Sequence, residues 1–281
     1  MALVPPMYLN CVVAVGEPVA GSDPRWIATG FLYGHLTDDS VDPHQYRVYL
    51  VTNRHVADPP RQLVARFNPV GPGPAQSLTV EPIDTSTGIH LWTFHPDQDV
   101  DVAVVPINVG ILDQGGLQRN FFESDHHVMT VSQMKAAGAS PGDGIFLLGF
   151  PGSTSVGVRS DVTVRGGCLA RVEDIYAGTS RTYLIDSNNF PGNSGGPVIT
   201  KIEGVAIEGT TAVSTSHLVG VVSSFVAYMD IAVSTQTGRP RIIFEENTGL
   251  AEVFPVDAIQ LAVDLNIRDV ISQYTGTTSA A

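Results

Sequence analysis

The 281-residue chain reads as an all-β protein. Short extended runs rich in Val, Ile, Thr, Tyr and Phe recur along it, and Gly, Pro, Asp and Asn punctuate them. Long segments with a 3.6-residue apolar period are too few for an α/β fold. The pattern leaves a β-sandwich and a set of β-barrels both open.

The runs come in order. "YLNCVVAV" at residues 8–15 is the first predicted strand, followed by "WIATGFLYGHL", "YRVYLVTN", "QLVARFNPV", "HLWTFHP" and "VDVAVVPIN". Later come "DGIFLLGF", "GCLARVED", "RTYLIDSN", "GGPVITK" and "HLVGVVSSFVAY". Between the two groups, residues 111–141 are less strand-like and read as a connection. It divides the chain into two β units of similar size, residues 1–120 and 121–281. The clearest helix is "PVDAIQLAVDLNIRDVISQ", with Pro255 at its first position and Ile259, Ala262, Val263, Ile267 and Val270 at helical spacing. The tail "TGTTSAA" is expected to fray.

Composition excludes some functions. The formal net charge is −13 and no Lys/Arg-rich run exists, which argues against a nucleic-acid partner. No apolar run reaches membrane-spanning length, so no membrane partner is expected. The first twenty residues carry no positive charge and are broken by prolines and Asn10, unlike a secretory signal. A cytoplasmic location is expected; a processed secreted or periplasmic chain is the alternative. Cys11 and Cys168 lie in apolar runs and are expected as buried free thiols.

The stretch "NNFPGNSGGPVI" at residues 188–199 suits neither a helix nor a central strand. It rings Ser194 with residues that free the backbone. A serine nucleophile needs a base to take its proton, an acidic group to hold that base, and backbone N–H groups to stabilise an oxyanion. Gly192 would let the amides of residues 192–194 converge on that oxyanion, so Gly192, Asn193 and Ser194 are the candidate oxyanion hole. "VYLVTNRHVAD" puts His55 just past an apolar strand. None of His35, His44, His90, His95, His126, His127 and His217 has that context. "HPDQDVDVAVVPI" offers Asp97, Asp99 and Asp101; the step into "VAVV" favours Asp101. The catalytic candidates are therefore His55, Asp101 and Ser194. The pair His126–His127 suggests a metal, but no Cys or carboxylate stands at ligand spacing, so a solvated loop is expected. No metal and no cofactor is expected.

"TNRHVAD", "DVDVAVV" and "GNSGGP", in this order, resemble the trypsin-like (chymotrypsin-fold) serine peptidases, most nearly the bacterial branch that includes periplasmic stress proteases. "ATGFLY", "LLGFPG", "VRGGCLARV", "GVVSSF" and "NTGLAEVFPVDAI" add to the likeness, which spans residues 8–265. The resemblance implies two antiparallel six-stranded β-barrels with the active site between them, closed by a C-terminal helix. His55 and Asp101 would come from the first barrel and Ser194 from the second. It further implies that Asn188, six residues before the serine, floors the primary specificity pocket, and that the "GVVSSF" strand, with Ser223 and Phe225, walls it. Digestive relatives carry Asp just before the serine, to pair with a new N-terminal amine; Asn193 cannot form that ion pair. Activation by N-terminal trimming is not expected.

The function implied is a serine endopeptidase acting through an acyl-enzyme, cleaving after small or medium apolar residues. Its partners would be protein or peptide substrates and a regulatory protein. An inactive trypsin-fold binding module and an esterase using the same triad are the alternatives.

Overall fold

The computed structural model describes residues 3–153, 157–204 and 214–275. Eight strands form the first sheet: β1 Val12–Glu17, β2 Arg25–Asp38, β3 Gln45–Thr52, β4 Leu63–Phe67, β5 Gln76–Val80, β6 Thr93–Phe94, β7 Ala103–Pro106 and β8 Phe122–Glu123. Six more close a barrel: β9 Gly144–Gly149, β10 Thr163–Arg171, β11 Tyr183–Asp186, β12 Pro197–Thr200, β13 Leu218–Val233 and β14 Pro240–Pro255. The architecture is the expected chymotrypsin-like two-barrel fold with a C-terminal helix. The six-stranded closure holds for the second unit. In the first, hydrogen bonding runs β5-β4-β1-β2-β3-β7-β6, with β8 added in parallel to β2. That pairing sets Phe122 and Glu123, beyond the expected unit boundary, against the first sheet.

The alternation of side chains across each strand sorts the apolar residues into three cores. Val13, Val15, Leu32 and Leu50 fill the interior of the first unit. Ile145, Leu147, Ile185, Val198 and Val253 fill the second. A third cluster lies between them and draws on both: Phe31, Tyr33 and Val104 meet Leu148, Ile199 and Val221. The helix Val256–Asn266 seals this seam with Ile259, Ala262 and Val263. Each of those side chains is fully buried, which for Ile259 and Val263 stabilises by roughly 1.5–3 kcal/mol per side chain relative to exposure. The Asn266 amide at the helix end donates to Thr93 Oγ1 of β6 at 2.8 Å.

Several local expectations are corrected. Tyr8 lies in a helical turn, Pro6–Leu9, and the first strand begins only at Val12. The buried Tyr8 hydroxyl donates to the Ser216 carbonyl, 2.7 Å away, so this turn is a tie to the second unit. Pro255 ends β14 and caps the C-terminal helix from outside rather than opening it. Cys11 is a buried free thiol, but Cys168 is only partly buried. Strand β5 and the 16-residue β14 lay outside the predicted runs. Together β13 and β14 extend past the barrel as a two-stranded ribbon that exposes Tyr228, Met229, Ile231, Ile243 and Phe244. No described helix is long and apolar enough to cross a membrane. The predicted fraying of residues 275–281 falls almost entirely outside the described residues.

Candidate active site

Strand β3 ends at the buried Thr52, and the chain turns into the short helix Arg54–Ala57, which carries His55 out of the sheet. Asp101 stands just before β7, which pairs with β3 at Thr52↔Ala103. This pairing brings two residues 46 positions apart side by side. His55 Nδ1 lies 2.7 Å from Asp101 Oδ2, and the His55 amide donates to Asp101 Oδ1 at 2.9 Å. The Asn53 amide side chain donates to the Asp101 carbonyl at 2.8 Å. The neighbouring carboxylates are occupied elsewhere: Arg181 pairs with Asp97 and, at 3.6 Å, with Asp99. Of the three aspartates in this run, Asp101 is the one that meets the histidine.

Ser223 completes the group. Its hydroxyl donates to Asp101 Oδ2 at 2.5 Å. The resemblance implies a place for Ser223 beside the substrate; its side chain meets the carboxylate, a contact that the sequence does not signal. Burial pushes the Asp101 carboxyl up, but hydrogen bonds from His55 and Ser223 and the charge of His55 outweigh it, and the net shift is downward. Asp101 is therefore held as an anion beside the imidazole.

Ser194 sits at the turn before β12. Its hydroxyl donates to the Ser223 carbonyl at 3.2 Å and makes no hydrogen bond with His55 among the described residues. The loop is forced into shape by close approaches. Gly192 has φ +99°, and a Cβ there would come within 2.5 Å of the Phe150 carbonyl oxygen. At Gly195 (φ +83°) a Cβ would meet the Thr29 carbonyl oxygen at 2.2 Å. The Asn193 amide donates to the Phe190 carbonyl at 3.0 Å. It is thus spent, and Asn193 is removed from the expected oxyanion hole. The amides of Gly192 and Ser194 have no backbone acceptor among the described residues.

Thr29, fully buried on β2, holds this loop from the other unit. Its hydroxyl donates to the Gly192 carbonyl at 2.7 Å and accepts from the Phe150 amide at 3.0 Å. Its amide donates to the Ser194 carbonyl at 2.9 Å, and Thr52 Oγ1 donates to its carbonyl at 2.9 Å. Sequence reasoning did not single out Thr29. Its only signal was its place in "ATGFLY", because a hydrogen bond between units leaves no local pattern.

The residues expected to set specificity are less constrained. Asn188 is exposed just past β11, and no hydrogen bond joins it to Phe225. Phe225 is half-buried opposite Ala251, and the β13–β14 ladder is irregular on both sides of it.

The trypsin-like peptidase domain family matches residues 28–207, well over half of the chain and the stretch that holds His55, Asp101 and Ser194. The chain belongs to that family. Among solved structures it is similar to the MamO protease domain from Magnetospirillum magneticum, at 16% identity and a TM-score of 0.46, covering 91% of this chain and 96% of that one. It is also similar to an HtrA-type protease, AlgW carrying S227A with a decapeptide, at 14% identity and a TM-score of 0.44, covering 93% of this chain and 64% of that one. No curated protein matches by sequence.

Proposed function

We propose that the chain is a serine endopeptidase in which Ser194 is the nucleophile, His55 the general base and acid, and Asp101 the group that orients His55. The observation that carries this reading is the hydrogen-bonded run Ser223–Asp101–His55, set against a serine loop with two unspent amides. A substrate carbonyl between the Gly192 and Ser194 amides would receive the Ser194 oxygen as His55 takes its proton. Those amides would stabilise the oxyanion that forms. Collapse would expel the amine, protonated by His55, and leave an ester on Ser194 for water to hydrolyse. For this the Ser194 hydroxyl must leave the Ser223 carbonyl and turn to His55, a tightening that commonly awaits substrate. Ser223 and Phe225 then belong to the strand along which the substrate would lie, with Asn188 toward the pocket floor.

A fluorophosphonate probe tests the reading. It should label the wild-type chain at Ser194, and His55→Ala should lose most of that labelling. Absence of labelling in a folded chain would favour the inactive binding module. Labelling with turnover of esters but not of peptides would favour the esterase.

A further inference from the structure

The sequence pairs His126 with His127, but the fold separates them. The His127 ring accepts from the Glu123 amide at 3.0 Å and packs edge-on against Tyr8. His126 instead stacks against His44, 82 residues earlier, with ring centres 5.7 Å apart and planes 18° from parallel. Asp125 lies between them. His44 Nδ1 is 3.2 Å and His126 Nε2 3.3 Å from the same oxygen, Asp125 Oδ2. The carboxylate missing from the sequence pattern is thus supplied by Asp125, and the second imidazole by a distant turn.

We propose that His44, Asp125 and His126 form a zinc-binding site that joins the β2–β3 turn to the segment linking the two β units. The three donor atoms lie within 4.8 Å of one another. A tetrahedral ion with Zn–N and Zn–O bonds of about 2.0–2.2 Å spaces its donors roughly 3.3–3.5 Å apart. The two observed contacts to Asp125 Oδ2 are close to that spacing. A small outward shift of the two rings from Asp125 Oδ2, with their donor nitrogens turned toward a common centre, would leave room for the ion, with water as fourth ligand. Hydrogen bonding alone would explain the same distances only if both rings carried a proton on the nitrogen facing Asp125.

The scaffold is rigid where it matters. His44 directly precedes β3, and Asp125 lies two residues past the end of β8; β3 and β8 both pair with β2, at Leu36↔Tyr46 and Gly34↔Glu123. The Ser124 amide donates to the Gly34 carbonyl at 2.9 Å, and the Leu36 amide to Ser124 Oγ at 3.0 Å. Tyr46 directs its hydroxyl at both oxygens of Asp125, 3.0 Å from Oδ1 and 3.2 Å from Oδ2, and so orients the carboxylate. Two imidazoles and one carboxylate suit Zn²⁺ or another late transition metal. Ca²⁺ and Mg²⁺ would want an oxygen-rich shell, and one carboxylate does not provide it.

The test titrates ZnCl₂ into the full chain by calorimetry, with Co²⁺ as a spectroscopic stand-in. One ion per chain should bind, and Co²⁺ should give the visible bands of tetrahedral coordination. His44→Ala and His126→Ala should each weaken binding at least tenfold, and Tyr46→Phe should weaken it less. His90→Ala, at an exposed histidine elsewhere, should leave it unchanged. Saturating zinc should raise the melting temperature by roughly 5 °C in wild type and not in the two histidine variants. Absence of binding at ~100 µM zinc, an affinity on the order of the weaker carboxylate-type sites, would overturn the proposal. So would binding that survives the combined His44→Ala and His126→Ala variant. If the single variants unfold, Asp125→Asn serves in their place, read by the same loss of cobalt bands.

Discussion

The Thr29 hydroxyl crosses from the first β unit to the Gly192 carbonyl in the second, 2.7 Å away. The serine loop is therefore held by the barrel that does not contain it. Thr29→Val keeps the shape of the side chain but removes both its donor and its acceptor. It should leave the Gly192 carbonyl and the Phe150 amide unpaired in a buried site, at a cost of about 1–3 kcal/mol. Peptidase activity should drop more than tenfold, in kcat rather than KM, because the loop shapes the oxyanion site. Thr29→Ser should restore most of both. Thermal melts and steady-state kinetics of the two variants check this; equal losses in both would show that the hydroxyl is not what matters.

The triad should behave as one unit. Ser194→Ala and His55→Ala should each lower kcat by a factor on the order of 10⁴–10⁶, and the double variant should be little worse than either. Ser223→Ala removes one hydrogen bond from Asp101 and should cost far less, about tenfold. Additive losses in the double variant would mean that His55 and Ser194 do not act on the same proton.

Stability should fall in two steps on acidification. Burial lowers the affinity of His35, His95, His127 and His217 for a proton, so the unfolded chain binds protons more readily than the folded one. Their contribution is complete above the ordinary histidine value of 6.5 and is lost as pH falls through and below it. Asp101 and Asp97 are shifted down from 3.8, Asp97 chiefly by the Asp99 amide. Their contribution persists to lower pH and is lost only as the pH falls below about 4. Urea midpoints at pH 8, 6, 5 and 3.5 would trace both steps. A midpoint unchanged between pH 8 and 5 would count against the histidine step.

The proposed specificity rests on Asn188 and Phe225. Arginine- and lysine-specific relatives carry Asp where Asn188 stands. Without that carboxylate a buried cation lacks its partner, at a cost of several kcal/mol. Phe225 should narrow the pocket, so cleavage should fall after Ala or Val. Phe225→Gly should admit larger side chains. A peptide-library profile dominated by Arg or Lys would refute the first argument, and an unaltered profile in Phe225→Gly the second. The irregular ladder around Phe225 is the feature that could turn its ring away.

What the sequence made legible was local. "PGNSGG" is readable because each glycine answers a steric demand in its own turn, and His55 because an apolar strand ends beside it. The β14 half of the ribbon has no clear strand signal because "RPRIIFEENTG" carries Pro240 at the start of the strand and clusters its apolar residues instead of alternating them. The Ser223–Asp101 and Thr29–Gly192 contacts leave no local signal, because these hydroxyls act across 122 and 163 residues. The His44–Asp125–His126 cluster was hidden for the same reason: spacing along the chain reports on helices and turns, not on two strands that flank a third.

The serine loop has a further consequence for the moment of synthesis. It leans backward on Thr29 and forward on β13: the Gly195 amide donates to the Val222 carbonyl and the Ser194 hydroxyl to that of Ser223. A ribosome delivers Thr29, His55 and Asp101 early, Ser194 much later, and Val222 and Ser223 later still. The nascent chain can thus display His55, Asp101 and Ser194 while the loop around Ser194 lacks its last support. Only when β13 has emerged and the barrel has closed does every brace exist together. If Ser194 is the nucleophile proposed above, a centre arranged in this way would stay idle while its own unfolded chain is the nearest polypeptide within reach.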